Sequence, residues 1–92
     1  MNVIVRDKAY EDLERIHDWI AADNPDAARD TIARIFAAID RLAAFPGVGH
    51  SGQVEGTREW VVRGLPYIVV YRIDEVPGLL AVEGVFHGAR AR

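Results

Sequence analysis

Residues 9–43 read AYEDLERIHDWIAADNPDAARDTIARIFAAIDRLA, and two apolar rhythms on either side of Asn24-Pro25 decide the architecture. Ala9, Leu13, Ile16 and Ile20 recur at spacings of four, three and four, which stacks them on one face of a helix. Glu11, Asp12, Glu14, Arg15 and Asp18 fall elsewhere, so the segment reads as an amphipathic helix ending near Ala22. Asn24 can cap a second helix, and Pro25 suits its first position, where a missing N–H costs nothing and the fixed φ is already helical. Ala28, Ile32, Ile35, Ile39 and Leu42 then run at four, three, four and three, with Phe36 and Ala43 widening the stripe over about 20 residues. Two such helices joined by a short turn predict an antiparallel hairpin.

Working outward, residues 2–6 alternate β-branched side chains and predict a strand, with Asp7 as the expected N-cap of the first helix. On the other side, proline and three glycines in residues 45–52 stop the second helix and open a loop to about Gly56. Beyond it, residues 57–63, 67–73 and 79–87 are rich in Val, Ile, Tyr and Trp and are broken at Gly64-Leu65-Pro66 and at residues 74–78, as in antiparallel hairpins. Ile68-Val69-Val70 is apolar on both faces, which predicts a central strand covered on both sides. The layout is β-α-α-β-β-β. It predicts an α+β fold, with the helical hairpin packed on one face of a small, mostly antiparallel twisted sheet, in one domain spanning residues 1–92.

Half of the residues are hydrophobic and none is cysteine, so the fold must rest on packing, with neither disulfides nor thiolate metal sites. Residues 1–6 lack the basic head and apolar run of a signal peptide, and no apolar stretch approaches the roughly 20 residues that cross a bilayer. The expected location is the cytoplasm. The net charge of −3 argues against direct, non-specific DNA binding. The first 46 residues carry nine acidic and six basic groups; the rest carry five of each, and every base there is an arginine. Guanidinium groups suit planar, bidentate recognition.

No phosphate-cradling glycine loop, His-Glu-x-x-His or nucleophile elbow is present, so chemistry would have to come from scattered residues. His17 reads as a solvated helix residue and His50 as a turn residue. His87, at the end of the last predicted strand and followed by Gly88-Ala89-Arg90, reads either as a proton-transfer group or as a hydrogen-bond donor at the sheet edge. The histidines are too far apart for a metal site, and no cofactor is implied. Arg58, Arg63, Arg72 and Arg90 lie on or just after strands and could clamp phosphate or carboxylate; alternatively Arg58 with Glu59 and Arg72 with Asp74 form surface ion pairs. Trp60 and Phe86 are expected in the core. Trp19 leaves the apolar face of its helix, where an exposed indole would anchor a protein partner, and Tyr10 is assigned with it.

Taken in order, Ala9, Asp12, Leu13 and Ile16, then Asn24-Pro25 with Ala27-Ala28, Leu42, Pro46, Gly47 and Gly49 begin a pattern that continues in Gly56-Thr57-Arg58-Glu59, Pro66 to Arg72, and His87-Gly88-Ala89-Arg90. The ordered set spans nearly the whole chain and resembles the ParE branch of the RelE/ParE toxins, or plasmid-stabilisation proteins. The resemblance implies the same β-α-α-β-β-β fold and a bacterial toxin neutralised by a cognate ParD-like antitoxin, with which it forms a hetero-oligomer. It further implies inhibition of DNA gyrase for the ParE branch, and cleavage of messenger RNA on the ribosome for RelE-like relatives. The shared fold does not choose between them.

Ribonuclease members often carry an arginine where this chain has Ile68, are lysine-rich where this chain has only Lys8, and often continue to a tyrosine beyond the position of Arg92. These departures favour a non-enzymatic inhibitor whose target-binding residues are Arg58, Arg72, His87 and Arg90, with Trp19 and Tyr10 for the antitoxin. The alternatives are a RelE-like endoribonuclease resting on Arg58, His87 and Arg90, and a degenerate toxin that only binds its antitoxin.

Overall fold

The computed structural model describes residues 1–89. Strand β1 (Asn2–Val5) leads into helices α1 (Asp7–Ala21) and α2 (Pro25–Ala44); a 3-10 turn (Pro46–Val48) and strands β2 (His50–Ser51), β3 (Arg58–Val61), β4 (Tyr67–Asp74) and β5 (Leu79–His87) follow. The sheet runs β1-β5-β4-β3-β2, with β1 parallel to β5 and every other pair antiparallel. The α+β layout read from the sequence is therefore present, with one addition, the two-residue β2 inside the expected loop.

Local chemistry explains the boundaries. Asn24 caps α2 as expected, its side chain accepting from the Ala27 N–H at 3.1 Å, and Pro25 opens the helix. Asp7 is not the cap of α1. Arg6 holds that position, with extended backbone and no side-chain cap bond, because its own N–H still donates to Val82 in the sheet. Asp7 lies inside the first turn instead, where its charge meets the positive end of the helix dipole.

The core is the seam between the hairpin and one sheet face. Ala9 and Leu13 from α1 and Ile35, Ile39 and Leu42 from α2 meet Tyr67, Val69 and Tyr71 of β4 and Leu80, Val82 and Val85 of β5. Ile16 and Ile20 complete the α1 stripe from half-buried positions. β4 is central in the sheet, but it is not covered on both sides: Ile68, Val70 and Arg72, which alternate with the buried Tyr67, Val69 and Tyr71, are only half-buried. Phe86 pairs in register with Ile68 and so belongs to this second face, half-buried and outside the core cluster. Trp60 pairs with Val69 and packs against the core from the helix side.

One acid departs from the solvated stripe predicted for it. Asp12 is 5% exposed. Between Val70 and Tyr71 the register of β5 slips by one residue, skipping Glu83, and such a bulge takes a strand N–H out of the ladder. The Asp12 carboxylate accepts from the Val85 N–H at 3.0 Å, and Lys8 and Arg15 meet it at 2.6 and 3.2 Å. Gly84 leaves room for it, since a Cβ there would lie 3.1 Å from Asp12 Oδ2.

Candidate functional site

Arg58 lies opposite Tyr71 on the helix side of β3. Its guanidinium donates to the carbonyls of Gly47 and Gly49 at 3.3 and 2.9 Å, while the Tyr71 hydroxyl donates to Pro46 O at 2.7 Å and accepts from Gly49 N–H at 3.0 Å. Together they pin the turn after α2 onto the sheet. A side chain at Gly49 would collide with the Tyr71 ring and hydroxyl, which is why glycine stands there. Burial pushes the Tyr71 pKa above 10.0, against the opposing pull of the Gly49 N–H and the Arg58 charge.

Neither expected surface ion pair forms. Neighbouring residues on a strand point to opposite faces, so Glu59 turns away from Arg58; it is 4% exposed, accepts from Gln53 N–H at 3.3 Å and lies 3.8 Å from His50 Nε2. That contact places His50 in β2, paired with Glu59, rather than in a turn. Arg72 passes over Asp74 and donates to Glu83 at 3.0 Å and to the Glu55 carbonyl at 3.2 Å, on the face away from the helices. Arg6 approaches the same Glu83 at 3.6 Å.

His87 closes β5 opposite Tyr67, with the two rings edge to face at 5.4 Å. Its Nδ1 accepts from Ala89 N–H at 3.1 Å, so the hydrogen bond expected at the sheet edge is made with the ring as acceptor rather than donor. His17 is the solvated helix residue expected, beside Asp18. Arg90 lies outside the described residues.

The residues expected to bind the target are thus not gathered. Arg58 pairs with Tyr71 and His87 with Tyr67, four residues along β4 and two strands apart, which separates their backbones by about 16 Å. Arg72 is on the opposite face. The two aromatics assigned to the antitoxin are exposed, Tyr10 at 55% and Trp19 at 69%, but nine residues apart on α1 they stand about 180° around the helix axis. They flank the buried stripe on either side. Among the described residues no group of histidine or acidic side chains is placed to hold a metal ion.

One concavity that does gather side chains was not anticipated. α1 rests on β5 and α2 reaches β4, so β3 lies beyond the hairpin, and a cleft of about 360 Å³ opens beside α2. Arg34, Ala37, Ala38 and Arg41 line one wall and Trp60, Val62 and Arg63 the other. Arg34 donates to the Arg63 carbonyl at 3.0 Å, closing one end. The spacing of Arg34, Ala37, Ala38 and Arg41 on one helical face was available in the sequence; what it faced was not.

The ParE toxin model, that of type II toxin–antitoxin (parDE) systems, matches residues 3–92. The chain belongs to the ParE toxin family. A protein of Sinorhizobium fredii named "Putative toxin Y4kP" is 41% identical over 75 residues, 82% of this chain and 78% of that one. Among solved structures, the chromosomal ParDE system of P. aeruginosa contains a chain that superposes with a TM-score of 0.82 at 21% identity, covering 95% of both chains. The RelBE2 toxin–antitoxin complex of Mycobacterium tuberculosis gives 0.60 at 23% identity, over 94% of this chain and 95% of that one. At these identities the likeness shows the fold, and no more. No helix among the described residues is long and apolar enough to cross a membrane.

Proposed function

We infer that this ParE-family chain is a cytoplasmic, non-enzymatic toxin that inhibits DNA gyrase by binding it and is neutralised by a cognate ParD-like antitoxin. Family membership carries the toxin assignment. What supports binding over nuclease action is the placement of Arg58 and His87. A ribonuclease needs a phosphate clamp and a proton-transfer group within reach of one scissile linkage. Here Arg58 holds the carbonyls of Gly47 and Gly49, while the backbone of His87 lies about 16 Å from that of Arg58 and its Nδ1 accepts from Ala89 N–H. Ile68, near the start of β4 on the face away from the helices, supplies no charge.

A supercoiling assay with purified toxin tests the reading: supercoiling by gyrase falls as toxin is titrated, and unaffected gyrase at saturating toxin rules the target out. Transcript cleavage in a translating extract would restore the RelE-like alternative. Growth unharmed by expression without the antitoxin would indicate a member that only binds its antitoxin.

A further inference from the structure

The arginines of α2 divide by what they reach. Arg29 pairs with Asp26 one turn away, whereas Arg34, four residues after Asp30 and well spaced to pair with it, turns instead to the Arg63 carbonyl at 3.0 Å. Through their side chains, Arg41 and Arg63 make no hydrogen bond or ion pair among the described residues. Arg34, Arg41 and Arg63 all border the cleft beside α2, and no carboxylate lines it, so a chain of net charge −3 keeps one small concavity purely cationic. Ala37 and Ala38 give it an apolar floor. Half-buried Trp60 packs against the core and lines the cleft with the rest of its surface. At about 360 Å³ the cleft stands at the small end of ligand pockets, roughly 300–1,000 Å³, which is the size of a metabolite rather than of a helix or a polynucleotide.

We propose that this cleft binds a free mononucleotide, with the base against Trp60 and the alanine floor and the phosphate held by Arg41 and Arg63. Each half of such a ligand has its counterpart. A planar base gains from an aromatic wall whatever its edge pattern, and guanidinium planes stack on bases as well. A phosphate takes two parallel N–H donors from a guanidinium fork, a geometry that an ammonium group does not offer. A dicarboxylate would use the arginines and leave the indole idle; an uncharged aromatic ligand would do the reverse. A ligand with both a flat ring and a phosphate uses wall and rim together, and nucleotides are the abundant cellular class of that kind. The acid-rich first half of the chain repels a long polyanion beyond the reach of the rim, which favours the free nucleotide over a strand. Arg34 serves as the end wall, since its guanidinium is engaged by the Arg63 carbonyl. The site is independent of the gyrase reading.

The test is calorimetric titration of the full-length protein with each of the ribonucleoside 5′-monophosphates. The parent nucleosides, ribose 5-phosphate, inorganic phosphate and a short single-stranded DNA serve as competing probes. At least one mononucleotide should bind saturably with a Kd below about 1 mM, about tenfold tighter than its nucleoside or either phosphate alone. In a Trp19→Phe background, where Trp60 is the sole indole, the same nucleotide should quench the emission. Arg41→Glu should weaken binding by about tenfold or more with an unchanged melting curve, and Arg41→Lys should keep part of the affinity. Ala37→Trp, which fills the cleft from an exposed position, should abolish binding while the circular dichroism spectrum stays as in the parent. Inorganic phosphate binding as tightly as any nucleotide would reduce the cleft to an unselective anion site and overturn the proposal. Tighter binding of the DNA strand, affinity indifferent to Arg41→Glu and Ala37→Trp, or the absence of both heat and quenching would overturn it too. None of these results touches the toxin reading, which the supercoiling and growth assays decide.

Discussion

The two flanks of the helical hairpin treat charge in opposite ways. Under α1, Asp12 is buried and satisfied by the Val85 N–H, with Lys8 and Arg15 arching over it, so every charge serves the closure of helix onto strand. Beside α2, Arg41 and Arg63 border a cleft and have no bonded partner among the described residues. The two flanks differ in what the backbone asks of them. The bulge in β5 creates a buried donor that must find an acceptor; β3 ends at Val61 before the cleft does and makes no such demand. Charge is spent on architecture where a strand is irregular and stays available for partners where the hairpin stops short of the sheet.

Substitutions on the two flanks should therefore separate stability from recognition. The largest loss is expected at Asp12→Ala, which strands the Val85 N–H in the interior and should lower the unfolding free energy by about 2–3 kcal/mol, read as a fall in the urea midpoint at constant slope. A variant as stable as the parent would show that the bulge has another acceptor. Gly49→Ala, on the β3 side, forces the Tyr71 hydroxyl to move and should cost about 1–3 kcal/mol by thermal melting; an unshifted melt would mean that the turn after α2 gives way freely.

Tyr71→Phe removes the hydroxyl bridge between Pro46 and Gly49 and should cost about 1 kcal/mol near neutral pH. It should also change the alkaline limb of stability. Because the folded pKa of Tyr71 is raised, the folded state holds this proton more tightly than the unfolded state does. The resulting stability is complete below pH 10.0 and is lost as pH rises through the folded value. The parent should thus lose stability above pH 10.0 faster than Tyr71→Phe, and parallel denaturation profiles would contradict the assigned burial. The smallest effect on folding belongs to Arg41→Glu, within about 0.5 kcal/mol of the parent. A larger destabilisation would place Arg41 with the structural charges of the α1 side.

Periodicity and punctuation made most of the fold legible. Asn24-Pro25 declared a cap and a first helical residue, and both stand where they were expected. The last strand, expected at residues 79–87, is Leu79–His87. Tertiary context decided the exceptions. Asp12 looked solvated because helical spacing places it at the margin of the apolar stripe, and nothing in a single sequence discloses a bulge 73 residues away that requires a carboxylate. The pairing of His50 with Glu59 was hidden for the same reason, since two residues carry no strand periodicity. The arginines of the second half were legible as a set, but strand alternation puts Arg58 and Arg72 on opposite faces and the loop after α2 claims Arg58. The cleft needed Arg34 and Arg41 from one half and Trp60 and Arg63 from the other, a meeting that only the sheet order arranges.

The same sheet order places the first strand beside the last. β1 has a single neighbour, β5, and α1 leans on β5 as well, so β1 has no sheet to join until β5 has been made. During synthesis, which proceeds from the N-terminus, the hairpin can form early but has no completed face to seal. Completion of β5 thus sets the earliest moment at which the sheet can close and the hairpin can be sealed against it.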